Sequence, residues 1–312
     1  MSVVERIRQN NRPQVPGYFR TAIGDVIVTS IYDGFIDVDR NLLSGAPIDE
    51  IGQTLDRNYV PAHRIPTSNT KFVVEREGGL ILIDAGAGSF FGESMGKNAE
   101  NLGAAGFDPA RIKTILLTHM HPDLVSGLLS GEQKTFPNAT LYVAKREFLF
   151  WSDPAKLEAS TGEMRVLFSE IAKSIKPYQD SGHFVAYEHG EILSGIQAHP
   201  LFGHSEGHSG YEITTSEGEI LFWGDIVHNH VLQFHNPAIY VELDQDPVAA
   251  VETRSRILEQ AVCRKLWVGG AHLPFPGIGR ITTGNNGYVW VPVEFGPTCL
   301  PKDVVHLEKR AD

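Results

Sequence analysis

The residues of this chain that could do chemistry are histidines and aspartates placed just after short apolar runs. The densest set is Thr118-His119-Met120-His121-Pro122-Asp123-Leu124, which follows the Ile- and Leu-rich run 112–117. Such a run reads as a buried strand, so both imidazoles and the carboxylate fall where a strand passes into a loop. Two histidines one residue apart can aim ring nitrogens at one point when the backbone turns. A carboxylate two residues further on reaches a second point nearby, and this mixture of donors suits zinc, manganese, iron or cobalt. The plainer reading is a set of polar residues that merely ends a strand.

The same arrangement recurs three times. His204 and His208 share the loop Gly203-His204-Ser205-Glu206-Gly207-His208-Ser209-Gly210, Asp225 follows Phe222-Trp223-Gly224, and His272 follows Trp267-Val268-Gly269-Gly270-Ala271. One occurrence is weak evidence, but the recurrence is not, because sites are commonly assembled from strand termini along one sheet edge. Asp84 ends the apolar run 80–83 and is followed by Gly86 and Gly88. It can accept a hydrogen bond from the second ring nitrogen of a ligand histidine, or serve simply as a turn aspartate.

The elements that must position these groups alternate along the chain. Residues 25–32 read as a strand ended by a turn at Asp33-Gly34, and 48–55 as a helical patch after which Pro61 and Pro66 stop further helix. Residues 71–76 and 80–83 flank Glu77-Gly78-Gly79 as a hairpin. A helix is expected over 93–105, and Asp108-Pro109 has the form of a cap. Beyond the central motif, 140–143 reads as a strand, and 145–151 and 164–175 as helices. Strands follow at 184–187, 196–200, 211–214 and 219–223, then a helix over 247–262 and a strand over 265–268. Two packed sheets with helices outside fit this order.

Composition narrows the class. The 312 residues, 42% of them hydrophobic, suffice for one large domain, expected over 21–295 between an N-terminal arm (1–20) and a C-terminal tail (296–312). No stretch approaches the ~20 apolar residues of a membrane span. The polar N-terminus lacks the apolar middle of a secretory signal, so the expected location is cytoplasmic. Cys263 and Cys299 lack partners at metal-ligand spacing and read as ordinary thiols. The net charge of -11 argues against broad binding to nucleic acid or anionic membranes, which needs a dense positive surface. A homodimer is the base-rate expectation.

With these residues in place, the chain resembles the metallo-β-lactamase superfamily, whose signature is Thr-His-x-His-x-Asp-His, a glycine-flanked histidine, an aspartate after a strand and a late histidine. Thr118, His119, His121, Asp123, His208, Asp225 and His272 meet it in order. Leu82-Ile83-Asp84-Ala85-Gly86-Ala87-Gly88, Trp223-Gly224-Asp225-Ile226-Val227-His228 and His272-Leu273-Pro274-Phe275-Pro276-Gly277 are similar to the branch of methyl parathion hydrolase, lactonases and arylesterases. The resemblance implies an α+β, four-layer αββα sandwich with two divalent ions, zinc foremost and manganese, iron or cobalt as alternatives. His119, His121 and His208 would hold one ion, Asp123 and His272 the other, and Asp225 would bridge them. The family has a histidine directly after the aspartate, where this chain has Leu124, so the second site is expected to be weakened unless His228 or His230 turns in. His204 is expected to support its loop, and Asp84 and His228 to lie just behind the ligands.

The implied activity is hydrolysis of small apolar esters or lactones, with organophosphate triesters as a further substrate class. Two ions would activate a bridging water as hydroxide and polarise the scissile carbonyl or phosphoryl group. Asp225 and Asp123 are the implied catalytic carboxylates, Asp225 orienting the hydroxide. Phe91, Trp151, Phe168 and Leu273 are expected to wall an apolar substrate pocket. The alternatives are a metal-poor member that binds a small ligand, motivated by Leu124, and an iron-dependent oxygenase on the same fold.

Overall fold

The computed structural model describes Val15 and residues 17–296. Two seven-stranded sheets form, each from consecutive strands of one half of the chain. The first contains β1 (Tyr18–Ile23), β2 (Val26–Val38), β3 (Ile65–Arg76), β4 (Gly79–Ile83), β5 (Thr114–Leu116), β6 (Thr140–Ala144) and β7 (Phe184–Tyr187), side by side in that order. The second contains β8 (Gly190–Leu193), β9 (Ile196–Pro200), β10 (Ser209–Thr215), β11 (Gly218–Phe222), β12 (Trp267–Gly269), β13 (Ile278–Thr283) and β14 (Tyr288–Pro292), again in order. Pairing is antiparallel through β1–β4 and parallel from β4 to β7. In the second sheet only β11 and β12 run parallel.

Strand alternation creates the layers, because successive side chains point to opposite faces. Ile81 and Ile83 of β4, Phe72 and Val74 of β3, and Leu116 of β5 meet Tyr211, Ile213, Ile220 and Phe222 of the second sheet between the two sheets. Their neighbours Val73, Leu82 and Ile115 face outward instead. They pack with Leu102 of helix α2 (Asn98–Ala104) and with Ile171, Ile175 and Tyr178 of helix α6 (Gly162–Asp180). On the far side, Leu221 and Trp223 pack with Ile257, Leu258 and Ala261 of helix α8 (Pro247–Cys263). Helices therefore cover both outer faces, as the four-layer expectation requires. The other helices are α1 (Ile48–Arg57), α3 (Pro122–Val125), α4 (Lys145–Trp151), α5 (Pro154–Ala159) and α7 (His230–His235).

Several sequence expectations need correction. Asp33-Gly34 does not end its strand; β2 continues to Val38 past a bulge between Tyr32 and Gly34. The helix expected over 93–105 splits into a 3-10 turn, Gly92–Ser94, and α2, with Gly96 at φ +81 between them. The bulge turns the side chain of Asp33 inward, where its carboxylate accepts the amides of Ala87 and Asn98. The strands β13 and β14 form beyond the last strand expected from the sequence, among Gly and polar residues that interrupt the strand pattern. Tyr18–Ile23 is already strand, so the domain begins inside the stretch expected as an arm. The rest of that arm and the C-terminal tail, with Cys299, lie outside the described residues, apart from Val15, Gly17 and Gly296. Among the described residues, no helix is long and apolar enough to cross a membrane.

Candidate metal centre

The ligand-type residues come together at one edge of the sandwich because each follows the end of a strand. His119 and His121 follow β5, His204 and His208 lie in the loop between β9 and β10, Asp225 follows β11, and His272 follows β12. Two groups form around Asp225: His119, His121, His204 and Asp225 in one, and Asp225, His228 and His272 in the other.

In the first group, His119 Nε2 lies 2.9 Å and His204 Nε2 lies 3.0 Å from His121 Nδ1. Asp225 Oδ2 stands 3.3 Å from His204 Nε2 and 3.6 Å from His119 Nε2. In the second group, the same Oδ2 is 2.9 Å from His272 Nε2 and 3.6 Å from His228 Nε2, and Asp123 Oδ2 is 3.8 Å from His272 Nε2. One carboxylate oxygen thus serves both groups.

The outer nitrogens of three of these imidazoles are each tied to a fixed partner. Thr118 Oγ1 donates to the Asp84 carboxylate at 3.0 Å and therefore accepts from His119 Nδ1 at 3.2 Å. His204 Nδ1 donates to Asp244 Oδ1 at 2.8 Å, and His272 Nδ1 to the Ser68 carbonyl at 2.8 Å. A hydrogen on each outer nitrogen leaves only the inner nitrogen to offer a cation, and on His204 that nitrogen must first release the proton that Asp225 and Asp244 hold on the ring. Asp84 therefore acts on His119 through Thr118 and not by the direct bond expected from sequence.

The placement of His208 differs from the sequence expectation and is a correction. Its Nδ1 donates to the Leu201 carbonyl at 2.9 Å, and its Nε2 accepts the Asp225 amide at 3.1 Å. Both nitrogens are used by the backbone, and His204, four residues earlier, faces the cluster. Gly224 makes the His208 bond feasible: a Cβ there would lie 2.6 Å from His208 Nε2, and φ is +57.

Four further residues hold the loops and carried no motif in sequence. Glu147 is fully buried and accepts the amides of Met120 and Gly207, the Trp151 indole and the Ser205 hydroxyl, at 2.8–2.9 Å. It ties the His119–His121 loop to the His204–His208 loop. Asp244 fixes His204 and stands 3.7 Å from the buried Arg254 guanidinium. Asn69 donates to Asp33 and to the Asp123 carbonyl, and Lys71, with no exposed surface, donates to Asn69 Oδ1 at 2.6 Å. An isolated buried lysine is rare; its charge opposes the burial that raises Asp33 to about 6 and Asp84 to about 7.

Electrostatics follow from the same packing. Burial holds His119 and His121 well below the ordinary imidazole range, lowers His208 to about 3 and lowers His228 to about 4. Burial also works against a charge on His204, but its bonds to Asp225 and Asp244 outweigh that and raise it to about 10. Asp225 is held well below the carboxylate range by His272 and His119 despite its burial.

A cation fits these residues. Imidazole nitrogens converge on the Asp225 carboxylate, and Asp123 Oδ2 and Asp225 Oδ1 are buried without a hydrogen-bond partner. Buried polar atoms are otherwise rarely left unpaired. The nitrogen-rich first group matches zinc and its neighbours in the transition series.

The expected pocket walls are only partly near this centre. The Trp151 ring lies 5.8 Å from that of His121. Phe168 packs behind Trp151 in the core, Leu273 is fully buried with the second sheet's helix layer, and Phe91 pairs with Phe90. Leu124 is likewise fully buried in the core beneath the first sheet's helices. A small apolar hollow of about 20 Å³, lined by Val38, Leu42, Leu43, Ile65, Val241 and His228, meets the centre at His228. A separate cavity of about 700 Å³ beside Arg76, Arg111 and Lys113 lies by the opposite strand ends.

Comparison with known proteins agrees with this geometry. Residues 66–278 match the family model described as the metallo-beta-lactamase superfamily. The crystal structure of the hydrolase AbOPH, of the beta-lactamase superfamily, is 37% identical, with a TM-score of 0.88 over 91% of this chain and 100% of that one. AidC, a dizinc quorum-quenching lactonase solved with the product N-hexanoyl-L-homoserine, is 26% identical, with a TM-score of 0.82 over 90% of this chain and 99% of that one. No curated protein sequence matches the chain. Strand-end histidines, the shared aspartate, the paired sheets and these similarities converge: the chain belongs to the metallo-β-lactamase superfamily of hydrolases.

Proposed function

We propose that the protein is a metal-dependent hydrolase of small apolar esters and lactones, with organophosphate triesters as a further substrate class. The observation that carries this reading is the convergence of three imidazoles and a shared carboxylate within 4.8 Å of one another. Divalent ions in such a site lower the pKa of a bound water and polarise a carbonyl or phosphoryl oxygen. Zinc is the expected ion, in line with the donor set and with the dizinc character of AidC.

The protein's own groups have separable tasks. Asp225 Oδ2 faces both groups of donors, so it is placed to orient the attacking water and to take its proton. The backbone of Asp225 is held by His208, which limits movement of that carboxylate. Val38, Leu42, Leu43 and Ile65 place apolar side chains around the small hollow beside His228, and Trp151 bounds the side near His121. An apolar lining favours neutral esters and lactones over polyanions.

The test is metal content per chain by elemental mass analysis, combined with hydrolysis of p-nitrophenyl acetate, dihydrocoumarin, an N-acyl homoserine lactone and methyl parathion. Turnover that disappears with 1,10-phenanthroline and returns with zinc, manganese or cobalt is the expected result. Absence of turnover on every substrate after full reconstitution would remove the hydrolase reading.

A further inference from the structure

We infer that His228 supplies the second centre with the imidazole that Leu124 does not, giving this chain a second cation site built from Asp123, Asp225, His228 and His272. The inference rests on the proposed metal-dependent function and concerns how this chain completes the site.

Leu124 leaves a clear deficit. Asp123, Asp225 and His272 alone make two carboxylates and one imidazole, and Leu124 is fully buried in the core and cannot coordinate. His228 makes up the difference from another part of the chain. Its Nε2 lies 3.6 Å from Asp225 Oδ2, and its ring stacks on His272 with centroids 5.1 Å apart and planes 21° apart. Neighbouring donors of a tetrahedral zinc with bonds of ~2.0–2.1 Å stand roughly 3.3 Å apart. Asp225 Oδ2 stands 2.9 Å from His272 Nε2 and 3.6 Å from His228 Nε2, and these three donors all lie within 4.8 Å of one another; Asp123 approaches the group at His272, 3.8 Å away.

A packing or scaffolding role accounts poorly for His228. The scaffolding histidine, His208, has both nitrogens bonded to backbone, whereas His228 turns its Nε2 to Asp225 Oδ2, 3.6 Å away. Asp123 and Asp225 each also carry one buried oxygen without a hydrogen-bond partner. The backbone, in contrast, is firmly held: Gln233 Oε1 accepts the amides of His228 and Asn229 at 2.6 and 3.0 Å, and Asn229 caps α7. The side chain is therefore delivered to Asp225 by a fixed turn. His230, at the start of α7, belongs to neither group.

The test uses the full-length protein reconstituted with cobalt(II) and zinc(II). Wild type is expected to bind two ions per chain, and His228→Ala to bind one while keeping the ion at His119, His121 and His204. Two ions held with unchanged affinity in His228→Ala would overturn the inference and leave the hydrolase reading intact, as would one ion per chain in an active wild type. A reading that needs no variant is the proton NMR spectrum of the dicobalt protein. Five exchangeable, paramagnetically shifted imidazole N–H resonances are expected, from His119, His121, His204, His228 and His272. Four resonances would remove His228 from the site.

Discussion

His204 Nε2 lies 3.0 Å from His121 Nδ1, at the inner face of the donor cluster, although His204 is separated from His121 by 83 residues. His208, in the same loop, instead uses Nε2 to accept the amide of Asp225. The two histidines therefore predict different losses. His204→Ala is expected to lose an ion and to lower kcat/KM by at least about 100-fold, the scale of removing a positioned catalytic group. His208→Ala should keep its metal stoichiometry but lose about 1–3 kcal/mol of stability, because two buried backbone groups lose their partners. Elemental analysis and urea unfolding of both variants separate these outcomes.

Asp244 should act on metal affinity without touching the ion. It holds the hydrogen on His204 Nδ1, so Asp244→Asn is expected to weaken binding about 10–100-fold, as loss of a partner behind a metal-ligating histidine does. Competition with a chromophoric chelator measures this directly. An unchanged affinity would mean that the His204 orientation is set by other contacts.

Glu147 predicts a stability effect that reaches the site. Its carboxylate takes three donors from the two histidine loops and a fourth from the Trp151 indole, and Glu147→Ala leaves all four buried and unpaired. At ~1–3 kcal/mol for each unsatisfied group, with incomplete additivity, the variant should lose about 3 kcal/mol or more. Chemical unfolding monitored by tryptophan fluorescence is the measurement. Retention of wild-type stability would show that the loops are held elsewhere.

A pH dependence is expected away from the metal. Glu212 is lowered to about 2 by its bond to His199 and by the paired contacts of Arg264 at 2.8 and 2.9 Å. Because the folded pKa lies below the ordinary value of 4.5, this contribution is present above about pH 4.5 and is lost as pH falls through about 2. Glu212→Gln should therefore melt below wild type at neutral pH, with the gap closing on acidification toward pH 2. A gap that stays constant over that range would assign the effect to packing instead of charge.

The sequence by itself determined the donors and their approximate place. Thr118, His119, His121, Asp123, Asp225 and His272 each follow an apolar run, and a strand end is a local property that short-range pattern carries. The layer order was legible for the same reason, since strand alternation is written in residues such as Ile81, Leu82 and Ile83. Which histidine of the loop 203–210 faces inward was not legible, because it depends on Leu201, Asp225 and Asp244 arriving from separate elements. The same holds for His228, whose direction is set by Gln233, and for Glu147, whose four partners come from three segments. Local chain chemistry chose the groups; the closure of two sheets against one another decided which nitrogens meet.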